Sequence, residues 1–352
     1  MTVMPPEREK PKDRVVVAAV SGGPDSVYLL LGELAREKGT RVVIGHVNHR
    51  TRGADSVKDQ KLVEIIGKYN GYKTEILVVE KGNDGRDFIR GPGLRRTFPP
   101  GFEEKAREIR YRFLKGLSEK EGASAIALAH TADDQVETIL MRVFEGAGIG
   151  GLKGIPRETG DGIVRPILDV WKEDILEYLK KRKIPYRIDR SNVDTRFERN
   201  WVRHVLIPLL EKRYGKAVKK RIFTLGERFR ELDDYLEAET RRWIRRNVKN
   251  RENKVGVLFK RKTFSPLPSV LRVKILQRIC FDRLGVSPNE RLLKAMDGNV
   301  SAGGPSASVN AGKGWILANR YEEALFVPGE NGRGRNSART ALGEKLPILM
   351  TA

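Results

Sequence analysis

The sequence predicts an α/β fold with a doubly wound, mostly parallel sheet, followed by a helical linker domain and a small α+β C-terminal unit. Three observations predict these parts. Apolar runs of strand length alternate with amphipathic stretches of helix length over residues 14–190. Long stretches with helical spacing begin near residue 198. Short alternating segments follow after residue 305 and indicate a hairpin-bearing unit.

The first strand is predicted from residues 15–20, a continuous apolar run typical of a fully buried strand. The first helix is predicted over residues 25–38, because its leucines and valine recur at helical spacing. Further strands are predicted at residues 41–47, 73–79 and 123–129, and further helices at residues 55–70, 103–120 and 132–145. This β/α alternation implies parallel strands, whose carboxyl ends form the ligand-binding edge of the sheet.

The C-terminal part is predicted to form helices followed by a hairpin. Leu225, Phe229, Leu232 and Leu236 lie three or four residues apart, and the run ends in the basic sequence RRWIRR at residues 241–246. A second helix is predicted after Pro268, ending near residue 284. The alternating segments are residues 306–310, 315–318 and 325–327.

These elements predict five parts in the chain. They are a flexible N-terminus at residues 1–14, an α/β domain at residues 15–210, a basic helical segment at residues 211–255, a small α+β domain at residues 256–328 and a basic tail at residues 329–352 that we expect to be disordered. Residues 81–101 lack periodicity, are rich in glycine and proline, and are expected to form a flexible insertion.

The net charge of +22 is unevenly distributed along the chain. Residues 1–200 carry 37 basic against 31 acidic side chains, or +6, and residues 201–352 carry 31 against 15, or +16. A one-sided positive field attracts polyanions, and nucleic acid is the commonest such partner in the cytoplasm. A merely basic, soluble surface is the alternative.

Cysteine use and hydropathy narrow the class of protein further. Cys280 is the single cysteine, which excludes a disulfide within the chain, a CxxC metal site and a cluster held by several thiolates. No apolar run approaches the roughly 18 residues of a membrane span. The proline-rich, mixed-charge start is unlike a secretory or transit peptide, so a cytoplasmic location is expected.

The motif SGGPDS at residues 21–26 stands between the first predicted strand and the first predicted helix. Its two glycines allow a tight turn, and its hydroxyls and amides form an anion cradle suited to phosphate. Asp25 is placed to hold Mg²⁺ against such phosphates. The motif is not a Walker A loop, since GxxxxGK[ST] is absent. The alternative is a glycine-rich turn in which Asp25 only begins a helix.

Further polar motifs follow the other predicted strands or lie on the predicted helices. HVNH at residues 46–49 follows the second strand, and AHTADDQVET at residues 129–138 follows the fourth. Arg107 and Arg110 lie at positions i and i+3 of one helix and could clamp a phosphate or carboxylate. Paired carboxylates at a helix start favour a metal or amine site. Edge packing of the histidines, a solvated arginine face and N-capping by one aspartate remain open alternatives.

Taken in order, the motifs resemble the catalytic domain of the tRNA(Ile)-lysidine synthetases, within the N-type ATP pyrophosphatase (PP-loop) superfamily. They are SGGxDS, HxNHxxRG, ARxxRY, AHTADDQxET, GxGxxGLxGI, the Arg165-Pro166 pair, and NWVR at residues 200–203 with Pro208. The resemblance covers about residues 15–210 and weakens beyond them. The 81–101 insertion is longer than the family leads one to expect, and residues 330–352 match nothing in it.

The resemblance implies an ATP-dependent ligase that joins free L-lysine to carbon 2 of the wobble cytidine in the CAU anticodon of isoleucine tRNA. An adenylated cytidine would be the intermediate, AMP and pyrophosphate the by-products, and ATP and Mg²⁺ the cofactors. A homodimer is left open, and no membrane partner is expected. Two alternatives remain: a PP-loop tRNA thiolase, and a non-catalytic tRNA-binding protein with a vestigial nucleotide loop.

The resemblance also implies roles for particular residues. The predicted catalytic residues are Asp25, Arg110, His130 and Asp134, of which Asp25 and Asp134 would also hold Mg²⁺. ATP would contact Ser21, Gly22, Gly23, Pro24, Asp25, Ser26 and His46. Lysine or the base would contact Asn48, His49, Arg107, Asp133 and Glu137. The predicted tRNA contacts are Arg203, Lys216, Lys219, Lys220, Arg221, Arg241, Arg242, Arg245 and Arg246.

Overall fold

The structure is a computed structural model that describes residues 14–50, 53–79, 102–188, 195–251 and 255–329, without the side chains of Phe102 and Glu103. The predicted N-terminal segment, the 81–101 insertion and the basic tail lie outside the described residues, apart from Arg14 and Gly329.

A parallel sheet forms the centre of the N-terminal part, as predicted. Its strands are β1 Arg14–Ala19, β2 Thr40–Asn48, β3 Lys73–Val78, β4 Ala125–Ala127 and β5 Ile163–Val164, in the order β3-β2-β1-β4-β5. All of their pairings are parallel. The order reverses at β1, which places a topological switch point at the carboxyl end of the central strand.

Helices cover both faces of this sheet. They are α1 Pro24–Tyr28, α2 Ala54–Asn70, α3 Phe102–Glu121, α4 Ala132–Phe144, α5 Ile149–Leu152 and α6 Lys172–Lys181. Val16 and Ala18 of β1 pack into one buried cluster, whereas Val17 packs into a second cluster on the other face. Burial on both faces explains why β1 is continuously apolar. The predicted doubly wound fold is therefore confirmed.

Two predicted elements differ in detail from the structure. The single helix predicted at residues 25–38 is α1 followed by a π-helical turn, Leu29–Glu33, and a 3₁₀ turn, Leu34–Arg36. The strand predicted at residues 123–129 pairs over Ala125–Ala127 only, with β1 on one side and β5 on the other. Neither β5 nor α6 was predicted from the sequence.

A helical region follows, also as predicted. It contains α7 Glu198–Trp201, a π-helical turn Val202–Leu206, α8 Ile207–Tyr214 and α9 Ala217–Asn247. The chain divides into two compact units, Met1–Phe229 and Arg230–Ala352, and the division falls inside α9. The domain boundaries predicted at residues 210 and 255 do not coincide with this division and stay predictions.

Besides the C-terminal part of α9, the second unit contains an antiparallel sheet and three further helices among its described residues. They are β6 Lys249–Asn250, β7 Val257–Lys260, α10 Arg261–Phe264, α11 Ser269–Leu284, α12 Glu290–Ala302, β8 Ser308–Gly312, β9 Trp315–Arg320 and β10 Glu323–Pro328. The strand order is β6-β7-β10-β9-β8. Phe259, Phe264 and Phe326 are fully buried and form the centre of its core. The predicted small α+β unit is thus confirmed. Within the described ranges of the chain, every helix is too short or too polar to cross a membrane.

Candidate active site

The SGGPDS loop joins β1 to α1 at the carboxyl end of the central strand. The loop is folded on itself, since the Ser26 hydroxyl donates to the Gly23 carbonyl at 2.9 Å and accepts from the Ser21 amide at 3.2 Å. Gly22 has φ +87°, and a Cβ there would lie 3.4 Å from the Asp59 carbonyl oxygen. This tight turn requires glycine, so the loop has the shape that its sequence predicts.

Asp25 provides the one carboxylate of residues 21–26. Its Oδ1 atom is buried without a hydrogen-bond partner among the described residues, while Oδ2 lies 3.7 Å from the Lys172 ammonium. Burial raises the pKa of Asp25, the Lys172 charge opposes the rise, and the nearby Asp134 charge adds to it. A desolvated carboxylate oxygen without a partner is a position where a cation is favoured.

The polar residues at the end of β2 mostly support the loop. His46 is buried, and its Nδ1 donates to the Val20 carbonyl at 2.8 Å, which leaves Nε2 buried without a partner in the described chain. Burial lowers the pKa of His46, so its ring is neutral at pH 7. Asn48 donates to Gln60 and accepts from the Arg50 amide, both at 2.8 Å. These contacts fix the strand end beside the loop after β1.

The next group combines exposed arginines with partly buried histidines. Arg107 and Arg110 of α3 are exposed, and the Arg107 guanidinium lies 5.2 Å from the centroid of the Tyr111 ring. Burial and the Arg110 charge lower the pKa of His49. Burial lowers the pKa of His130 to about 4, and nearby arginines including Arg107 contribute. Both histidines are therefore neutral at pH 7, and the arginines supply positive charge beside them.

Asp133 and Asp134 open α4 after β4. Asp134 forms a capping box with Thr131: Asp134 Oδ2 accepts from the Thr131 amide at 2.9 Å, and the Thr131 hydroxyl accepts from the Asp134 amide at 3.4 Å. Asp133 Oδ2 accepts from the Lys172 amide at 2.8 Å, and its Oδ1 lies 3.0 Å from the Lys219 ammonium. N-capping therefore accounts for one carboxylate, as the alternative interpretation allowed, and ion pairing for the other.

A buried ion-pair network joins α4 to the helical region. Glu137 is 1% exposed and accepts from Arg199 Nε at 2.9 Å, Arg203 Nε at 2.6 Å and Arg203 Nη2 at 2.8 Å. Asp134 Oδ1 lies 3.1 Å from both guanidinium groups. Burial alone would raise the pKa of Asp134, but the Arg199 charge, the Thr131 amide and further positive charges lower it. We call Asp134, Glu137, Arg199 and Arg203 the four-residue network.

Of the two predicted Mg²⁺ ligands, Asp25 has a carboxylate oxygen available for a metal in this arrangement and Asp134 does not. The unpartnered Oδ1 of Asp25 suits a hard cation that keeps most of its other positions for phosphate and water. Both oxygens of Asp134 already accept from the capping box and the arginines. In the described part of the chain, no cluster of three or more His, Cys, Asp or Glu side chains is arranged to hold a metal. The metal role of Asp134 stays a prediction that requires an arginine to move.

The predicted tRNA contacts fall into two groups. Arg203 belongs to the four-residue network, and Lys219 is only 16% exposed, with ion pairs to Asp133 and Glu211. The remaining predicted contacts are exposed side chains: in the first unit Lys216, Lys220 and Arg221, and in the second unit Arg241, Arg242, Arg245 and Arg246. Arg241 and Arg242 pair with neighbouring glutamates of their own helix. Arg203 and Lys219 thus have structural partners, and the exposed side chains remain the better candidates for contacting RNA.

Three residues near the site were absent from the predicted set. Lys172 lies beside Asp25, Arg199 belongs to the four-residue network, and Arg165 is 7% exposed and donates to the Pro156 carbonyl. Arg165 had a sequence signal as part of the Arg-Pro pair, whereas Lys172 had none. Arg199 precedes Arg203 by one helical turn, a spacing that would have pointed to a shared partner.

The fold and the site define a class of protein: an α/β domain with a glycine- and serine-containing loop at the switch point of a parallel sheet. The sequence profile of a family described as a PP-loop domain matches residues 4–210. The chain therefore belongs to the PP-loop domain family, and this membership implies use of ATP.

The chain is also similar to proteins named tRNA(Ile)-lysidine synthase. It is 40% identical over 200 residues to one from Porphyromonas gingivalis W83, covering 57% of this chain and 41% of the relative. It is 30% identical over 324 residues to one from Bacillus subtilis 168, covering 90% of this chain and 66% of the relative. The relative from Geobacter sulfurreducens is 32% identical over 335 residues, with the same two coverages of 90% and 66%. The chain thus spans less than two thirds of the length of these relatives.

A solved structure, the U34-tRNA thiolase NcsA from Methanococcus maripaludis with its [4Fe-4S] cluster, is a distant structural match. It is 18% identical with a TM-score of 0.46, and the match covers 62% of this chain and 73% of that chain. A similarity at this level supports no argument about activity.

Proposed function

We propose that this protein is a lysidine-forming ligase, which joins the ε-amine of free L-lysine to carbon 2 of the wobble cytidine of isoleucine tRNA. The observation that carries the proposal is the loop at residues 21–26 with the unpartnered Asp25 oxygen, in a chain 30–40% identical to tRNA(Ile)-lysidine synthases. The proposed partners are ATP, Mg²⁺, L-lysine and a tRNA with a CAU anticodon, and a cytoplasmic location follows from them.

In the first step, oxygen 2 of the cytosine attacks the α-phosphorus of ATP and pyrophosphate leaves. The carbonyl oxygen thereby becomes part of a good leaving group, AMP. The loop at residues 21–26 would hold the departing phosphates with its amides and hydroxyls. Asp25 would hold Mg²⁺, which would supply charge neutralisation for those phosphates. Arg107 and Arg110 are exposed cations that can contact the α-phosphate or the anionic backbone of the anticodon loop.

In the second step, the neutral ε-amine of lysine attacks carbon 2, AMP leaves with the former carbonyl oxygen, and the new nitrogen loses a proton. A base near the attacking nitrogen would remove that proton. His130 is neutral and its Nδ1 is buried without a partner in the described chain, so this nitrogen would form a hydrogen bond with the adenylate or the activated base. His130 lies just before the first turn of α4. The four-residue network would position α4 rather than touch the reacting atoms.

Cytosine must leave the anticodon stack to reach the loop after β1, which costs little in a single-stranded loop. The rest of the tRNA would be held through its phosphates by exposed basic residues. Lys216, Lys220 and Arg221 are suited to this in the first unit, and the basic end of α9 is suited to it in the second.

The thiolase alternative requires sulfur chemistry that this chain supports poorly. Cys280 is the single cysteine, it is fully buried in the core of the second unit, and burial raises its pKa to about 12. A thiol in that state is a poor nucleophile and cannot by itself hold a cluster. The non-catalytic alternative predicts tRNA binding without nucleotide turnover.

The test incubates the full chain with ATP, Mg²⁺, isotopically labelled lysine and unmodified isoleucine tRNA, followed by mass spectrometry of the nucleosides. We expect a labelled lysine-bearing nucleoside with the wild type and none with Asp25→Asn, while tRNA binding by Asp25→Asn is retained. Product that appears only with a sulfur donor would favour the thiolase. No turnover with intact tRNA binding would favour the non-catalytic protein.

A further inference from the structure

Lys172 has an unusual location for a lysine. It is the first residue of α6, yet positive charge is disfavoured at a helix N-terminus, where the peptide dipoles already present partial positive charge. The two residues that follow, Glu173 and Asp174, have the charge that this location favours. A cation there calls for a compensating interaction.

Asp133 fixes the backbone at this point. Its Oδ2 atom accepts from the Lys172 amide at 2.8 Å, so the start of α6 is tied to the start of α4. The Lys172 side chain then extends to Asp25, whose Oδ2 lies 3.7 Å from its ammonium. The Lys172 backbone is therefore held by the Asp133 carboxylate, and its ammonium lies near the Asp25 carboxylate.

The Lys172–Asp25 pair is poorly suited to a purely structural role. A separation of 3.7 Å is beyond hydrogen-bond distance, and the Lys172 side chain is 40% exposed. Half-exposed ion pairs of this kind contribute little to stability. By contrast, Arg203 lies 2.6 Å from buried Glu137 in the four-residue network. The ammonium of Lys172 is thus held near the loop with its donors available.

We propose that Lys172 is a substrate-binding residue whose ammonium contacts the β- and γ-phosphates of ATP, and then the pyrophosphate that leaves. This inference rests on the proposed function, because it takes the loop at residues 21–26 as the phosphate site. Lys172 supplies a point charge on one side of Asp25, while Oδ1, the other oxygen of that carboxylate, is the position that suits Mg²⁺. Two cations would then share the charge of a polyphosphate.

The first experiment uses the unmodified protein. The full chain is treated with an amine-reactive reagent, alone or with saturating ATP, pyrophosphate or adenosine, and labelling at each lysine is read by mass spectrometry. We expect ATP and pyrophosphate to lower labelling of Lys172 several-fold, while adenosine has no effect. Lys181, an exposed lysine of the same helix that pairs with Glu177, is the internal control and should react equally in every sample.

The second experiment measures ATP and pyrophosphate binding by calorimetry for Lys172→Met, Lys172→Arg and the control Lys181→Met. We expect Lys172→Met to weaken both affinities about tenfold, corresponding to the loss of one charged hydrogen bond. Lys172→Arg should retain most of the affinity, and Lys181→Met should match the wild type. In turnover, the KM for ATP should rise for Lys172→Met while the KM for lysine stays unchanged.

The outcomes separate this inference from the proposed function. If the wild type binds ATP and forms lysidine but Lys172 is neither protected nor needed for pyrophosphate affinity, the inference is wrong and the proposed function stands. If the wild type binds no ATP, both fall. Should Lys172→Met fail to fold, the protection of Lys172 in the unmodified protein still decides the matter.

Discussion

Replacing Glu137 by alanine tests the four-residue network most severely. The carboxylate is 1% exposed and accepts three hydrogen bonds from guanidinium groups at 2.6–2.9 Å. Removing one partner of a buried ion pair costs about 3–5 kcal/mol, because the remaining charge is left uncompensated. Arg199 and Arg203 are 39% and 27% exposed and keep Asp134, so we expect the low end of that range, about 3 kcal/mol.

The measurement is the free energy of unfolding from urea titration, combined with hydrogen exchange of α4, which contains Glu137, and α7, which contains Arg199. Glu137→Ala should lower the stability of the first unit and speed exchange in both helices. Glu145→Gln is the matched control, since Glu145 follows the same helix and its pair with Arg142 is 46–50% exposed. That control should change stability by less than about 0.5 kcal/mol. Equal, small effects of both substitutions would refute the reasoning.

Three further predictions follow from the described residues. His130 is neutral in the folded state because burial lowers its pKa from 6.5 to about 4. Between these two pH values the unfolded chain binds more protons than the folded chain, so stability falls as the pH drops from 6.5 to about 4. His130→Asn should flatten this pH dependence in thermal melts at pH 4.5 and 7. Gly154→Ala should lower the melting temperature, because Gly154 has φ +69° and an added Cβ would clash with the Gln135 Oε1 atom. A Cβ at Gly148 would meet nothing within 4 Å, so Gly148→Ala should be neutral. Replacing Lys220 and Arg221 together by glutamine should weaken tRNA binding and reduce the slope of log affinity against log salt by about 1.5, and an unchanged slope would exclude these two residues from the phosphate contacts.

The central fold was predictable because its signals are local. The continuous apolar run of β1 reports burial on both faces, and the following glycine-rich loop marks a turn into a helix. The interruption of the first helix by a π-helical turn, Leu29–Glu33, leaves no comparable pattern, since the same leucines fit an α-helical period. β5 is two residues long and is specified by pairing with β4 rather than by its own sequence.

The sequence indicated which motifs lie at the edge of the sheet better than it indicated which residues pair with one another. The motifs at residues 21–26, 46–49 and 129–138 follow β1, β2 and β4, and they lie at the carboxyl edge of the sheet because parallel strands end there together. Their partners come from far along the chain: Glu137 pairs with Arg199 across 62 positions, and Asp133 pairs with Lys219 across 86. Such pairings depend on the packing of separate helices, and single-sequence patterns do not record them.

The net charge of residues 201–352 did not indicate which individual basic residues are exposed. The +16 carried by residues 201–352 predicts a basic surface, but Arg203 and Lys219 form ion pairs with buried or half-buried carboxylates. The sequence does not show which side of a helix faces its neighbour until the neighbour is known. Exposure in the structure separates these two residues from Lys216, Lys220 and Arg221.

The central claim is that the loop at residues 21–26 supports ATP-dependent attachment of lysine to tRNA. The most direct measurement is mass spectrometry of isoleucine tRNA after incubation with the full chain, ATP, Mg²⁺ and labelled lysine, with Asp25→Asn run in parallel. We expect labelled nucleoside and one AMP per product for the wild type, and neither for Asp25→Asn. Equal product from both proteins, or none from a wild type that binds tRNA and ATP, would contradict it.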